Sequence, residues 1–327
     1  MRRSLERSVT TGRTVLLGLI ALTVACSGPA SRENAPIYDL VIMNGRVMDP
    51  ASRLDASRNV GITSGTIRAV SEFALRGRDT LDAGGMVVAP GFIDLHQHAQ
   101  DTAAYHVEVL DGTTTALELE GGTVDIDHWY AERAGRSIIN HGVSVGHDAV
   151  RMQVMHDPGT HTPLGPAKSR AMTSVEMQEM VTILDQSFRR GAVAAGMLIE
   201  FTPAATPWEI LEVFRVAAKY NAAVHVHMRV LPEPYYYLET EEVIAASAAA
   251  GAAAHIVHIQ RSVGEDTPRA LELIRGARAR GLDITTEVYP YTASMSRIEG
   301  ADNDDWQKWS DKKFARMEWA LTDDNCQ

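Results

Sequence analysis

Between Ile37 and Val88 apolar and polar residues alternate in short runs, YDLVIMNGRVMD, RNVGITSGTIRAVSE and DTLDAGGMVVAPG. Alternation with period two is the pattern of half-buried strands, and the Asn-Gly, Ser-Gly and Gly-Gly pairs inside these runs predict hairpin turns. This stretch, residues 37–89, reads as a small all-β module. After Pro90 the rhythm changes to short apolar runs alternating with helical, capped segments. GFIDLH, TTTALELE, a run within INHGVSVGHDAV, GAVAAGMLIEF, AAVHVHM, AHIVHI and LDITTEVYPY read as strands. The amphipathic IDHWYAERAGRSI separates the second from the third. Thr173 to Glu176 has the capping-box form and opens a helix that stops at Gly191; Thr206-Pro207-Trp208-Glu209 opens another that runs to Tyr220. The alanine-rich TEEVIAASAAAG and TPRALELIRGARARG complete the helical set. Recurrent β-α units of this length predict a parallel sheet covered by helices, and seven strands favour a (β/α)8 TIM-type barrel over an open sheet.

The N-terminus stands apart. Arg2, Arg3, Arg7 and Arg13 precede the apolar VLLGLIALTVA, which is too short for a comfortable membrane span and reads as a signal peptide, residues 1–25. ALTVAC resembles a bacterial lipobox with Cys26 as the lipidated residue, although Thr23 stands where leucine is commonest; ordinary signal-peptidase cleavage is the alternative. Either route predicts export; the lipobox route adds membrane contact, through the N-terminal lipid anchor alone. Residues 26–36 read as a small, polar tether and residues 90–327 as the barrel.

A chain of 327 residues with 45% hydrophobic content can bury a large core. Its net charge of −11 and the lack of a clustered basic stripe argue against a nucleic-acid partner and for a small-molecule substrate. With Cys26 and Cys326 the sole cysteines, a disulfide framework and a cysteine-rich zinc module are excluded, so any metal must be held by histidines and carboxylates.

Such residues sit at predicted strand ends, where barrels place their chemistry. His96 and His98 in GFIDLHQHAQD are one residue apart and can aim at one point. In VHVHMR, His227 lies nearer the mouth, which leaves His225 as a buried polar residue below it. In AHIVHIQ, His258 is nearest the mouth and His255, of opposite parity, is expected to face the helices. Imidazole and carboxylate donors suit one or two zinc ions, with iron or manganese as weaker candidates. A bridge between two ions is often a carbamylated strand-end lysine on this fold, but Lys168, Lys219, Lys308, Lys312 and Lys313 all fall in loops, helices or the C-terminal tail. Glu118 and Glu120 share one face of TTTALELEGG; a charge inside a barrel is costly unless paired or coordinating, which makes Glu120 the bridging candidate and Glu118 the reserve.

Eight motifs in order from about Leu40 to Thr292 carry a family resemblance: NGRVMDP, PGFIDLHQHAQD, GTTT, VGHDAVRMQVM, GAVAAGMLIEFTP, VHMR, IVHIQ and VYPYTAS. The chain resembles the N-acyl-D-amino-acid deacylases (D-aminoacylases) of the amidohydrolase superfamily. That resemblance implies a metal-dependent barrel with a small N-terminal β-sandwich segment, amide hydrolysis by metal-activated water, and an N-acylated amino-acid-like substrate. It implies metal binding by His96, His98, His227 and His258, substrate contact by Tyr291, and structural support by His147 and Arg151 of the GHxxxR motif. The sequence departs from the family in three places. Glycine stands at or beside the family's metal-binding cysteine, so Glu120 is expected to replace that bridge; Gln260 stands where a substrate-carboxylate lysine is usual. The family's catalytic aspartate, in a Ser-Asp-Gly-like strand end, is expected beyond Gln327, with the last barrel strand and the rest of the β-sandwich. Asp302, Asp304, Asp305, Asp311, Asp323 and Asp324 follow no β-branched strand, so none is nominated as general base. The alternatives are a catalytically impaired, truncated fragment that retains metal binding, and a cyclic-amide hydrolase or dipeptidase of the same superfamily.

Overall fold

The computed structural model describes residues 36–231, 237–292 and 307. The predicted signal segment, Cys26, most of the tether, the six C-terminal aspartates and Lys308, Lys312 and Lys313 lie outside the described residues. The chain divides into two compact units at Pro90/Gly91. Among the described residues no helix is long and apolar enough to cross a membrane.

The described residues of the first unit form one five-stranded sheet built from β1 (Ile37–Asp49), β2 (Leu54–Thr63), β3 (Thr66–Ser71), β4 (Arg76–Asp82) and β5 (Val87–Val88). β1, β2 and β3 form an antiparallel meander, and β4 and β5 both run parallel to β1. Of the three expected hairpin turns, Ser64-Gly65 is one: both residues have positive φ, 51° and 68°, as a two-residue loop matched to strand twist requires. Asn44-Gly45 is instead a bulge within β1, with the register shifting between Ile42 and Gly45. Val88 lies where a side chain at Gly45 would go, and the Asn44 side-chain amide donates to Asp82 Oδ1 (3.0 Å). Gly84-Gly85 likewise makes no hairpin; it is a jog between β4 and β5 opposite that bulge.

Among its described residues the second unit carries seven parallel strands in sequence order: β6 (Phe92–Asp94), β7 (Thr113–Thr123), β8 (Asn140–Gly146), β9 (Ala195–Leu198), β10 (Val224–His227), β11 (Ala254–Ile256) and β12 (Ile284–Thr286). The helices between them are α1 (Thr102–Leu110), α2 (Ile126–Arg133), α3 (His147–Val154), α4 (Pro166–Ser169), α5 (Ser174–Arg189), α6 (Pro207–Lys219), α7 (Tyr237–Ala250), α8 (Ile259–Val263) and α9 (Thr267–Ala279). The sheet curls far enough for His96, beyond β6, to hydrogen-bond Glu287, beyond β12. It is therefore a TIM-like barrel that is not closed by a β6–β12 ladder.

Local sequence explains the frame. Val143, Val145, Met197, Val224, Val226 and Ile256 are fully buried against helix residues such as Leu184, Ile210 and Phe214 in one continuous core. Apolar runs of this kind are what a sheet covered by helices demands. α5 begins with the predicted capping box, Thr173 Oγ1 accepting from Glu176 N (3.3 Å) and Glu176 Oε2 from Thr173 N (2.7 Å). At α6 half of the box is present: Thr206 Oγ1 accepts from Glu209 N (3.2 Å), but the Glu209 carboxylate turns to His147 and Arg151. Helices α1 and α3 go beyond the sequence expectation, and the last predicted strand is shorter than expected, ending at Thr286.

Candidate metal centre

β6 stops at Asp94, so His96 and His98 are not strand residues. Asp94 Oδ1 accepts the His96 backbone N–H (2.8 Å), and an isolated antiparallel bridge pins His96 across Glu118 of β7. The two rings meet edge to face with their Nε2 atoms 3.2 Å apart. The end of β7 is displaced, its register against β8 shifting between Glu118 and Thr123. Glycines permit this crowding: a Cβ at Gly196 would stand 2.3 Å from the Glu120 carbonyl oxygen, and one at Gly122 (φ +72°) 2.3 Å from Ser144 Oγ.

Glu120 is buried, and four imidazoles converge on it. Oε2 lies 3.1 Å from His96 Nε2 and 2.9 Å from His98 Nε2, while Oε1 lies 2.8 Å from both His227 Nδ1 and His258 Nε2. His227 closes β10; His258 follows β11 as the cap of α8 with φ at +29°, a left-handed conformation that costs a non-glycine residue of order 1–3 kcal/mol. That break in the strand corrects the expectation for His255. Parity does not carry from His258 back to His255, which pairs with His225 across β10 and β11, packs against its ring at a tilt with centroids 4.7 Å apart and hydrogen-bonds Glu287.

Three of the four imidazoles touch a second carboxylate. His98 Nδ1 lies 2.7 Å from Glu118 Oε2, His96 Nδ1 bonds Glu287, and His227 Nε2 bonds Glu200, whose Oε1 also accepts from Arg261 Nη2 (3.0 Å). The sequence reading missed Glu200 and Glu287. Both follow barrel strands, so the cost of an unpaired charge that singled out Glu120 could have found them.

The charges are strongly coupled. Burial alone would raise the Glu120 carboxyl, but its four imidazole partners hold it well below the usual carboxylate range. Burial opposes protonation of His96, yet hydrogen bonds to Glu120 and Glu287 push it up to about 10. Glu118 and Glu120 push His98 up to about 10, while His227, although buried, is raised to about 9 by Glu120 and Glu200. Burial lowers His258, and its Nδ1 is a buried atom without a hydrogen-bond partner. The donor set fits a divalent ion. Ligand atoms of His96, Glu120 and His258 lie within 4.8 Å of one another, and a cation there would take the place of protons that the carboxylates stabilise on the imidazoles.

The cluster floors a cavity of about 890 Å³ whose lining includes Arg261, Tyr289, Tyr291, His161 and Thr162. Tyr291 is 75% exposed and packs beside Tyr289 with ring centroids 6.4 Å apart. Gln260, expected to contact substrate, is not among the lining residues; its amide reaches toward the Tyr289 carbonyl (3.4 Å). His161 and Thr162 ride on a loop held by Asp157, whose carboxylate accepts from the backbone N–H groups of Gly159, Leu164, Gly165 and Ala167 at 2.8–2.9 Å.

His147 and Arg151 form a separate, fully buried group, both bonding Glu209 Oε1, with Arg151 also donating to the carbonyls of Ala167 and Arg170. Asp148 beside them is buried with Oδ1 unpartnered, and burial, reinforced by the charges of Glu120 and Glu118, pushes it up from 3.8 to about 7. A raised carboxyl binds more protons folded than unfolded, so its contribution to stability falls as pH climbs from about 4 to about 7. Asp148→Asn should therefore gain thermal stability over the parent progressively across that window. Melting curves from pH 4.5 to 8 check it, and a constant difference would contradict the assignment.

The sequence model of the amidohydrolase family matches residues 87–285. An N-acyl-D-glutamate deacylase of Alcaligenes xylosoxydans xylosoxydans is 28% identical over 304 residues, covering 82% of this chain and 60% of the relative. A D-aminoacylase of the same organism is 25% identical, with the same coverage of 82% and 60%. Among solved structures, N-acyl-D-glutamate deacylase from Bordetella bronchiseptica, complexed with zinc and a phosphonate inhibitor, superposes with a TM-score of 0.67 at 25% identity, over 78% of this chain and 59% of that one. The chain thus spans about 60% of the length of the curated relatives it matches.

Proposed function

Because the chain belongs to the amidohydrolase family, we propose that it carries the metal site of a zinc-dependent hydrolase of amide C–N bonds, acting on N-acylated amino-acid-like small molecules. The observation that carries this reading is the Glu120 carboxylate shared by four imidazoles, two on each oxygen, at the floor of a cavity. His96 and His98 on one side, His227 and His258 on the other, and Glu120 between them would hold one or two zinc ions. When bound, zinc polarises a carbonyl and lowers the pKa of water toward ~7.

The chain's own residues supply the rest of what the site does. Glu118, Glu200 and Glu287 orient imidazoles through their remaining nitrogens. Tyr289 and Tyr291 flank the cavity and offer apolar rings with hydroxyl tips to a substrate. We assign no general base. Among the described residues the carboxylates lining the cavity are bonded to histidines or, for Asp94, to the His96 amide. Gln260 lying away from the cavity supports a substrate whose carboxylate is not read at that position. Export with lipidation at Cys26 is part of the proposal, on the N-terminal sequence pattern alone.

A second reading, a cyclic-amide hydrolase, has local support: a dihydroorotase of Solibacter usitatus is 40% identical over 85 residues, which is 26% of this chain and 20% of that relative. The test is metal analysis of the purified chain with assays on N-acyl-D- and N-acyl-L-amino acids, dihydroorotate and hydantoins. We expect bound zinc and release of free amino acid, with the rate falling at least ~10³-fold on chelation and returning with zinc. Turnover of the cyclic amides alone would move the assignment to the second reading; a chain that binds no zinc would overturn both.

A further inference from the structure

Resting on the reading of His96 as a metal ligand, we propose that Glu287 is a positioning residue for it: a carboxylate shared by His96 and His255 that fixes which ring nitrogen of His96 faces Glu120. His96 is engaged on both sides, Nε2 toward Glu120 Oε2 (3.1 Å) and Nδ1 toward Glu287 Oε1. An ionised carboxylate can only accept, so the Nδ1 proton belongs to the bond with Glu287. In the neutral ring this leaves the Nε2 lone pair directed at the floor of the cavity.

Glu287 is itself anchored. Its Oε2 lies 3.2 Å from His255 Nε2, and His255 Nδ1 lies 2.8 Å from Thr285 Oγ1. His255 and Thr285 are register partners on β11 and β12, so the relay Thr285–His255–Glu287–His96 starts from two paired strands. The His225 ring packs against His255 on β10 and restricts it further. Swinging Glu287 away from His96 would therefore break or bend its bond to a histidine that is 7% exposed. This arrangement is how an outer carboxylate sets both the orientation and the basicity of a metal-ligating imidazole.

The experiment is chelator-competition titration of zinc on the full chain, with the visible spectrum of the cobalt(II)-loaded protein as a second readout, for the parent, Glu287→Gln and Glu287→Asp. Glu287→Gln is expected to weaken zinc binding ~10–100-fold and to change the cobalt spectrum, with Glu287→Asp recovering part of both. A role confined to fold stability would lower the melting temperature and leave zinc affinity and spectrum at parent values; that result overturns the proposal. Should Glu287→Gln fail to fold, Thr285→Val removes the far anchor while keeping the carboxylate. A ~3–10-fold loss of affinity is then expected, and parent-like affinity overturns the proposal. A parent chain that binds no zinc overturns the proposed function as well, whereas a zinc-binding parent matched by its variants overturns this inference alone.

Discussion

Glu120→Gln is expected to strip the site of zinc and to lower amide hydrolysis by at least ~10³-fold, with metal content per chain and kcat/KM as the measurements. The size follows from how many partners depend on one side chain. Each Glu120 oxygen serves two imidazole nitrogens, so a glutamine of the same shape keeps one acceptor and turns an NH2 donor toward the other pair. It also removes the negative charge that lets four histidines approach one point in a buried setting. Glu118→Gln is the control. Glu118 bonds His98 and the Gly121 amide (3.1 Å) and no other histidine of the cluster, so its loss should weaken metal binding without abolishing it. If Glu118→Gln empties the site and Glu120→Gln leaves it loaded, Glu118 is the bridging ligand.

Glu209→Ala is expected to cost ~3–5 kcal/mol of stability, because it leaves the Arg151 guanidinium buried without its counter-charge. Arg151, His147 and Glu209 are all 0% exposed, so bulk solvent does not screen the orphaned guanidinium. For a unit of this size the loss corresponds to a melting temperature roughly 10 °C lower. The variant also removes a group from the first turn of α6 and the side-chain link that ties α3 to α6. Glu209→Ala combined with Arg151→Leu should lose less than the sum of the two single changes, since the second removes the orphaned charge. Additive losses in denaturant titrations would show that the pair does not act as a unit.

The strand-helix alternation was legible because buried parallel strands and capped helices write strong local patterns. VHVHM and the Thr173 box are examples, and both sit where the pattern put them. What the sequence hid depends on tertiary approach. Asn44-Gly45 has the chemistry of a hairpin turn, yet the partner strand on each side of β1 makes a bulge the better solution. His255 was assigned outward by parity, and a single left-handed residue, His258, breaks the count. His96, His98, Glu120, His227 and His258 do converge as strand-end reasoning suggested, whereas Glu200 and Glu287 were passed over as ordinary strand residues. GHxxxR was legible as a support motif, but its partner Glu209 was masked by its second identity as the fourth residue of a capping box.

The loop beside the cavity carries a different consequence. Because one aspartate at its base, Asp157, gathers four backbone N–H groups, the loop's course is set independently of most side chains at its tip. Gly159 is held by close approach to the Thr162 carbonyl, but the exposed Thr160, His161 and Leu164 face no such constraint. Descendants of this gene can therefore exchange those residues, and through His161 redraw the rim of the cavity, while the histidine cluster stays intact. The loop at the rim of the cavity and the histidine cluster at its floor are in this way inherited on separate parts of the chain.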